Sequence, residues 1–506
     1  MSIIITFPPS AVGANFIAAT PTGLQGKRFA ADLNHNRLVF EPLVAHSPSA
    51  DGPLEDVLVG KLQVTTFRKE AAFAAPAGWN VPAVNLTRTS DGWVTDFEDD
   101  VDFYNKFANK AGDPGTVGDQ IYYVAPNGSD AADGLSRDTP LLKLATAIAK
   151  PDVLEVRVFR NGAALRCVEG GGTPQKSVNV IVEDDVWFNK KPLDHVFVLT
   201  ATPGVWQLTG SGGIFQYNTP YRPVANSKGL PVPWGPQVDT LAEVATTPRG
   251  WFLDQTANQR AIYIQYDGAT APILNQDITC SIADAWAGGD WIASAGANAD
   301  INIYVQGATF PHQFRALSTS GGTLALRNCK FVGTHGVLGV SDAMSVNGVS
   351  AIFSHCNVGY CHKDFFTADN TGGSPAPWMI YHGCETSDFI GTLNALASNQ
   401  GGTTVHLDID CLDIGGKYLS TPNSTIAHVG TGKSVVVDCK PRSGASDPIY
   451  VYRVDGGRSM QLIDCGLSAS TQGTISATSG SSITIDGDPT GFTRPAVDAG
   501  TFEFGE

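Results

Sequence analysis

Short apolar runs, each closed by one or two polar or small residues and then a cysteine, recur through the second half of the chain: LALRNC, AIFSHC, MIYHGC, HLDIDC, VVVDC and MQLIDC. The cysteines are Cys329, Cys356, Cys384, Cys411, Cys439 and Cys465, separated by 27, 28, 27, 28 and 26 residues. Apolar positions inside each run fit strands, and no ten-residue helical pattern lies between them. Self-similarity at a fixed period of this length signals stacked repeats, each one circuit of strands and turns.

The pattern predicts an all-β protein whose main body is a right-handed parallel β-helix, a solenoid of stacked coils. Consecutive coils would rise by ~4.8 Å, so equivalent side chains would lie above one another. The cysteines then form a ladder of buried thiols, small apolar side chains at one inward position. Zinc sites and disulfide frameworks use short cysteine pairs, and here only Cys356 and Cys361 lie close. Gly307 in INIYVQG and Gly487 in SITIDG extend the cysteine position by one coil at either end.

The rest of the chain divides by composition. Residues 1–115 read as a separate β-rich region, with FAADLNHNRLVFEPL as two strands around a turn at Asn34–Asn36 and VLVGKLQVTTF as a further apolar run. The acidic, aromatic stretch DFEDDVDFYNKF reads as a solvated edge or short helix, and 111–120 has the Gly, Pro and Asp content of a boundary. Residues 116–200 hold a capping helix and the first coils. Thr139 suits the N-cap and Pro140 the first helical position, with Leu141, Leu144, Ala145 and Ile148 on one face. Residues 201–275, rich in Pro and Trp, read as a small inserted β-domain whose Trp206, Trp234 and Trp251 either stack on sugars or form its core. The main coil spans 276–490, and 491–506 is a tail.

Charge narrows the partners. Lys plus Arg number 33 against 49 for Asp plus Glu, a net charge of −16, which disfavours nucleic acid and anionic membranes. No apolar stretch has the length of a membrane span, and MSIIITFPPSAVGANF lacks the basic start of a signal peptide. The expected history is folding in a cytosol, which suits unpaired cysteines.

The segment IYYVAPNGSDAADGLSRDTPLLKLATAIAK (121–150) resembles the opening of pectin-lyase-like β-helix proteins, where a strand leads through an Asn-Gly-Ser-Asp turn and a Thr-Pro into a capping helix. TLAEVATTPRGWFLDQTANQRAIYIQYDGATAP (240–272) resembles an insert of the same superfamily. An extra N-terminal β-region without an export signal makes the whole similar to bacteriophage tailspikes. That resemblance implies a virion protein made in the host cytoplasm. Residues 1–115 would attach it to other virion proteins, and the coil, as a homotrimer, would bind host surface polysaccharide, with or without depolymerising it. The alternatives are a non-enzymatic adhesin or structural adaptor of the virion, and a bacterial polysaccharide lyase or glycoside hydrolase.

The chain has no P-loop, GxSxG, HExxH or dinucleotide-binding glycine motif, so candidate chemistry comes from stacking. Asp410, Asp438 and Asp464 directly precede ladder cysteines and would form an outward column. Paired carboxyls roughly 5–9.5 Å apart serve glycoside hydrolysis. Such a column also suits Ca²⁺, although no cofactor is required; the alternative is a row of turn-forming aspartates. A second cluster follows the ladder strands. His335 and His362 sit six residues beyond their cysteines, and Lys417 holds the same offset two coils later. Asp364, Phe365, Phe366, Glu385 and Asp388 lie in neighbouring turns, with His406 in another. Some superfamily members have an Asp-Gly-Phe turn followed by a Thr-x-His turn, which Asp364 and His406 resemble, but Lys363–Asp364 lacks the glycine.

Overall fold

The computed structural model describes three strands within the first 83 residues and most of residues 84–283. From 290 to 504 it describes chiefly strands and the tight turns that follow them. Statements below concern those described residues. The chain is mainly β and forms two compact units, one of Met1–Gly78 with Pro82–Asp96, the other of Trp79–Val81 with Phe97–Glu506.

In the first unit Lys27–Asp32 and Arg37–Pro42 pair antiparallel, as the two expected strands, and Ile3–Thr6 joins the outer side of the second strand. A hairpin of Leu86–Thr89 and Gly92–Thr95 follows. The run VLVGKLQVTTF lies outside the described residues.

The second unit is organised by a sheet of 12 strands whose neighbours are successive passes of the chain. It starts with Gln120–Val124, Val153–Val158 and Val178–Val182, then Asn302–Gln306, Thr323–Arg327, Ser350–Ser354 and Trp378–His382. It continues through Val405–Ile409, Lys433–Val437, Ser459–Ile463 and Ser482–Asp486 to Thr501–Phe504. Every pairing along it is parallel. Between passes the chain adds strands to shorter parallel sheets, among them one of six strands from Cys167–Glu169 to Glu385–Ser387.

Alternation along each strand fills the interior. Ile303 and Val305, Leu324 and Leu326, Ala351 and Phe353, and Met379 and Tyr381 all belong to one continuous buried core. In-register stacking brings like side chains together: Phe310 and Phe331 lie 5.1 Å apart with ring planes 6° from parallel, and Phe353 and Tyr381 5.2 Å apart at 11°. Cys329, Cys356, Cys384, Cys439 and Cys465 are buried and unbonded to one another, so the ladder is present. Each thiol in it with a described partner donates to a main-chain carbonyl one pass back, as Cys356 Sγ does to Leu326 O at 3.6 Å and Cys384 Sγ to Phe353 O at 3.5 Å. Cys411 lies outside the described residues.

The residue before each ladder cysteine has a left-handed backbone: Asn328 (φ 54°), His355 (48°), Gly383 (57°), Asp438 (51°) and Asp464 (50°). This turn lets the chain leave the long sheet sharply, and Asn, Asp and Gly tolerate it best. Gly307 (φ 75°) occupies the same turn, because Gln306 pairs with Arg327. It therefore matches Asn328 rather than Cys329, and buried Ala308 takes the thiol's place. Gly487 lies outside the described residues.

Three boundaries differ from those read in sequence. The helix below the first coil is Leu144–Ile148, begun by Lys143 without a side-chain cap. Thr139 instead donates its hydroxyl to Asp133 Oδ1 at 2.7 Å, and Leu141 bridges to Val124. Leu141, Leu144, Ala147 and Ile148 face the core, so the lid's apolar residues hold while its first turn does not. The inserted domain is wider than residues 201–275. Its antiparallel sheet starts at Val196–Leu199, its core reaches Cys280, and Asp290–Ser294 is the first later strand in a parallel pairing, with Phe314–Ser318. Trp206, Trp234 and Trp251 lie in that core.

The third boundary matters most. Phe97 begins the main stretch of the second unit, so residues 97–115 belong with the long sheet and not with the N-terminal unit. The helix Asp100–Phe107, capped by Asp99, lies across the outer face of the long sheet. Phe97 and Phe103 are fully buried. Tyr104 donates to Glu155 at 2.9 Å, Asn109 pairs with Asn179 and with the carbonyl of Asn302, and Phe103 meets Tyr304 at 5.9 Å between ring centres. The segment is a strap over consecutive passes.

Candidate functional site

Under the near end of this strap the outward residues of three adjacent strands come together. Arg327 closes Thr323–Arg327, Ser354 closes Ser350–Ser354 and His382 closes Trp378–His382, in register through Arg327↔Ser354 and Ser354↔His382. One residue on, Asn328 and His355 turn out of the sheet at positive φ. Glu98 and Asp100 reach down from the strap.

Arg327 is 4% exposed and fully engaged. Its Nε donates to Asp100 Oδ1 at 2.8 Å, Nη1 to Ser354 Oγ at 2.6 Å and Nη2 to the Glu98 carbonyl at 2.5 Å. Asn328 Nδ2 also donates to Asp100, at 2.9 and 3.1 Å. Ser354 Oγ stands 2.8 Å from His382 Nδ1, and His382 Nε2 stands 3.2 Å from Glu98 Oε2. His355 Nε2 is 3.8 Å from Glu98 Oε1. The two imidazoles meet edge to face, 4.8 Å between centres, and Phe97 closes the other side of His382 at 5.2 Å.

The exposures set the chemistry. His382 is 1% exposed, whereas the side chains of His355 and Glu98 are 36% and 45% exposed, so the cluster opens to solvent on one side. Burial holds His355 down to about 4, helped by the His382 ring and the Arg327 guanidinium and opposed by Glu98 and Asp100. At neutral pH His355 is therefore a neutral ring with a lone pair to offer. Ser354 is fully buried and already accepts from Arg327, so Ser354, His382 and Glu98 do not constitute an accessible nucleophile with its base.

Sequence reasoning missed this cluster. The signal was present in two places. INIYV, LALR, AIFS and MIYH are nearly continuous apolar runs, which mark strands covered on both faces. DFEDDVDFYNKF carries Phe103 and Phe107 four apart, the spacing of one helix face.

The residues chosen from sequence fare differently. Asp438 and Asp464 stand one above the other in adjacent passes, at the left-handed turn. Their residue type is accounted for by that backbone. Glu385 opens Glu385–Ser387 and accepts from Asn357 Nδ2 at 3.3 Å. Phe366 and His406 lie within strands Phe366–Asp369 and Val405–Ile409, of which the backbone alone is described. His335, His362, Asp364, Phe365, Asp388, Asp410 and Lys417 lie outside the described residues.

No family model matches the chain, and no curated protein matches it. Among solved structures it is similar to a complex of XylC with xylose, at 10% identity and a TM-score of 0.35 over 74% of this chain and 70% of that one. It is similar to a glycoside hydrolase at 9% identity and 0.33, over 76% and 96%. It is similar also to the tailspike gp61 of Pseudomonas phage phi297, at 8% identity and 0.18, over 66% and 65%. These scores are low, and the reading of this chain rests on its own residues.

Proposed function

We propose that the second unit is a right-handed parallel β-helix and that the chain is a tailspike-like virion protein binding host cell-surface polysaccharide. The observation that supports this most is the unbroken series of parallel passes in the long sheet. Passes ~4.8 Å apart make a periodic surface, and turns along its edge would bind an extended polymer. In that reading Phe365 and Phe366 would meet sugar faces, and His362 and Asp364 hydroxyls. Attachment to other virion proteins falls to the first unit, which ends at Asp96 once the strap is assigned to the coil.

Binding without cleavage is the second reading. It is favoured by Asp438 and Asp464, whose left-handed backbone is reason enough for an aspartate there. The test is incubation with capsule or lipopolysaccharide from candidate hosts, followed by assays for bound glycan, new reducing ends and unsaturated uronides. Specific retention of one host's glycan is expected. Should any cleavage appear, Asp364→Asn and Asp438→Asn distinguish the two carboxylate sites, since a catalytic carboxyl costs about 10²-fold or more. Failure to retain any surface glycan would overturn the proposal.

A further inference from the structure

We propose that Glu98, His355 and His382 form a binding site for a divalent transition-metal ion, zinc by their donor chemistry, that fastens the strap to the long sheet.

Three donor atoms, one from each residue, lie within 4.8 Å of one another. A tetrahedral zinc ion with bonds of ~2.0–2.1 Å holds its ligand atoms ~3.3 Å apart. Each imidazole already stands near this distance from one oxygen of the Glu98 carboxylate: His382 Nε2 at 3.2 Å from Oε2, and His355 Nε2 at 3.8 Å from Oε1. Two imidazoles and one carboxylate are a zinc-type donor set, too poor in oxygen for calcium or magnesium. The half-exposed side, between His355 and Glu98, leaves the fourth position to water.

The surroundings are built as a metal site requires. Ligating histidines normally use their second ring nitrogen to fix orientation. His382 Nδ1 is held by Ser354 Oγ, and Ser354 is held in turn by Arg327. With Nε2–H pointing at Glu98, Ser354 donates to Nδ1. When Nε2 binds metal the proton sits on Nδ1, and Ser354 Oγ accepts from both His382 and Arg327 through its two lone pairs. No proton need leave the cluster. The guanidinium of Arg327, which would repel a cation, is neutralised by Asp100 at 2.8 Å.

His355 is aimed by a missing side chain. A Cβ at Gly383 would fall 2.5 Å from His355 Nδ1 and 2.6 Å from Cε1. Gly383 thus admits the His355 ring flat against the next pass, with Nε2 turned to Glu98. The metal joins the strap to two consecutive passes, which is the geometry of a fastening rather than of a reaction centre.

The test uses the full-length protein stripped with a chelator and titrated with Zn²⁺ against a chromophoric competitor, with Co²⁺ as a spectroscopic substitute. The expected result is one tight equivalent, a visible Co²⁺ spectrum of tetrahedral intensity, and a melting temperature that rises with free Zn²⁺. His355→Gln and Glu98→Gln, at half-exposed positions, should fold and weaken binding at least about tenfold. Gly383→Ala should weaken it as well, while Asp464→Asn should leave it unchanged. Prior alkylation of accessible thiols should make no difference. No binding tighter than about 10 µM, retention of full affinity in both ligand variants, or loss of binding on alkylation would overturn the proposal.

Discussion

Residues at the turn after the long-sheet strands show how backbone geometry can imitate a functional pattern. Asn328, Asp438 and Asp464 share one left-handed conformation with Gly383 and Gly307. Asn, Asp and Gly are the residues that enter it at least cost. Asp464→Asn should accordingly leave stability almost unchanged, whereas Asp464→Val should lower it by about 1–2 kcal/mol in denaturant titrations. The thiols beside these turns behave as core atoms. Burial drives the Cys356 and Cys465 thiols well above their usual range, so they stay protonated at pH 8. Native protein at that pH should leave them unmodified by a thiol reagent, and denaturant should release them. Prompt modification of the native protein would contradict the buried ladder.

At the scale of elements, the strap carries the largest consequence. Phe97 and Phe103 are wholly buried on the outer face of the long sheet, against Phe107 and Tyr304. Phe103→Ala should cost about 3–5 kcal/mol, as removal of a buried aromatic does. Arg327→Met removes the guanidinium that lies over Phe103 and donates to Asp100 and Ser354, and should cost about 2–3 kcal/mol. Truncation gives the plainest contrast. A chain beginning near Asp96 should fold, because it keeps the strap. One beginning at Asp119 bares the outward residues Tyr304, Ala325, Ile352 and Ile380 and should aggregate, judged by solubility and light scattering. The inserted domain makes the same point about burial. Trp206, Trp234 and Trp251 are consumed by its own core, and Val196, Val198 and Leu199 are among its exposed apolar side chains.

For the whole molecule the proposal is a spike, and a homotrimer is part of that proposal. Three chains of 53.3 kDa give a particle of about 160 kDa by light scattering or sedimentation. A monomer at micromolar concentration would leave the polysaccharide-binding proposal standing but remove the trimer from it. An acidic surface also sets a condition on the ligand. At a net charge of −16, a polyanionic capsule should bind more tightly as salt rises, and a neutral glycan with little dependence on salt.

The amino-acid sequence determined the stacking by itself. A 26–28 residue period with alternating apolar positions can be buried repeatedly only if successive passes lie in register, so the strands, the thiol ladder and the inward row follow from local pattern. It located a lid helix, read as starting at Pro140 and found at Leu144–Ile148, and a Trp-rich β segment, with their limits a few residues out because a cap or a first strand depends on what it packs against. Tertiary structure alone decided what covers the outer face. The strap precedes the strands that carry Arg327, Ser354 and His382 by more than two hundred residues, and Asp100 meets Arg327 at a separation of 227. No periodicity links residues so far apart. For that reason Glu98, His355 and His382 look unrelated in sequence, a rim carboxylate, a turn and a strand end, and become one cluster only when the strap lies down across the sheet.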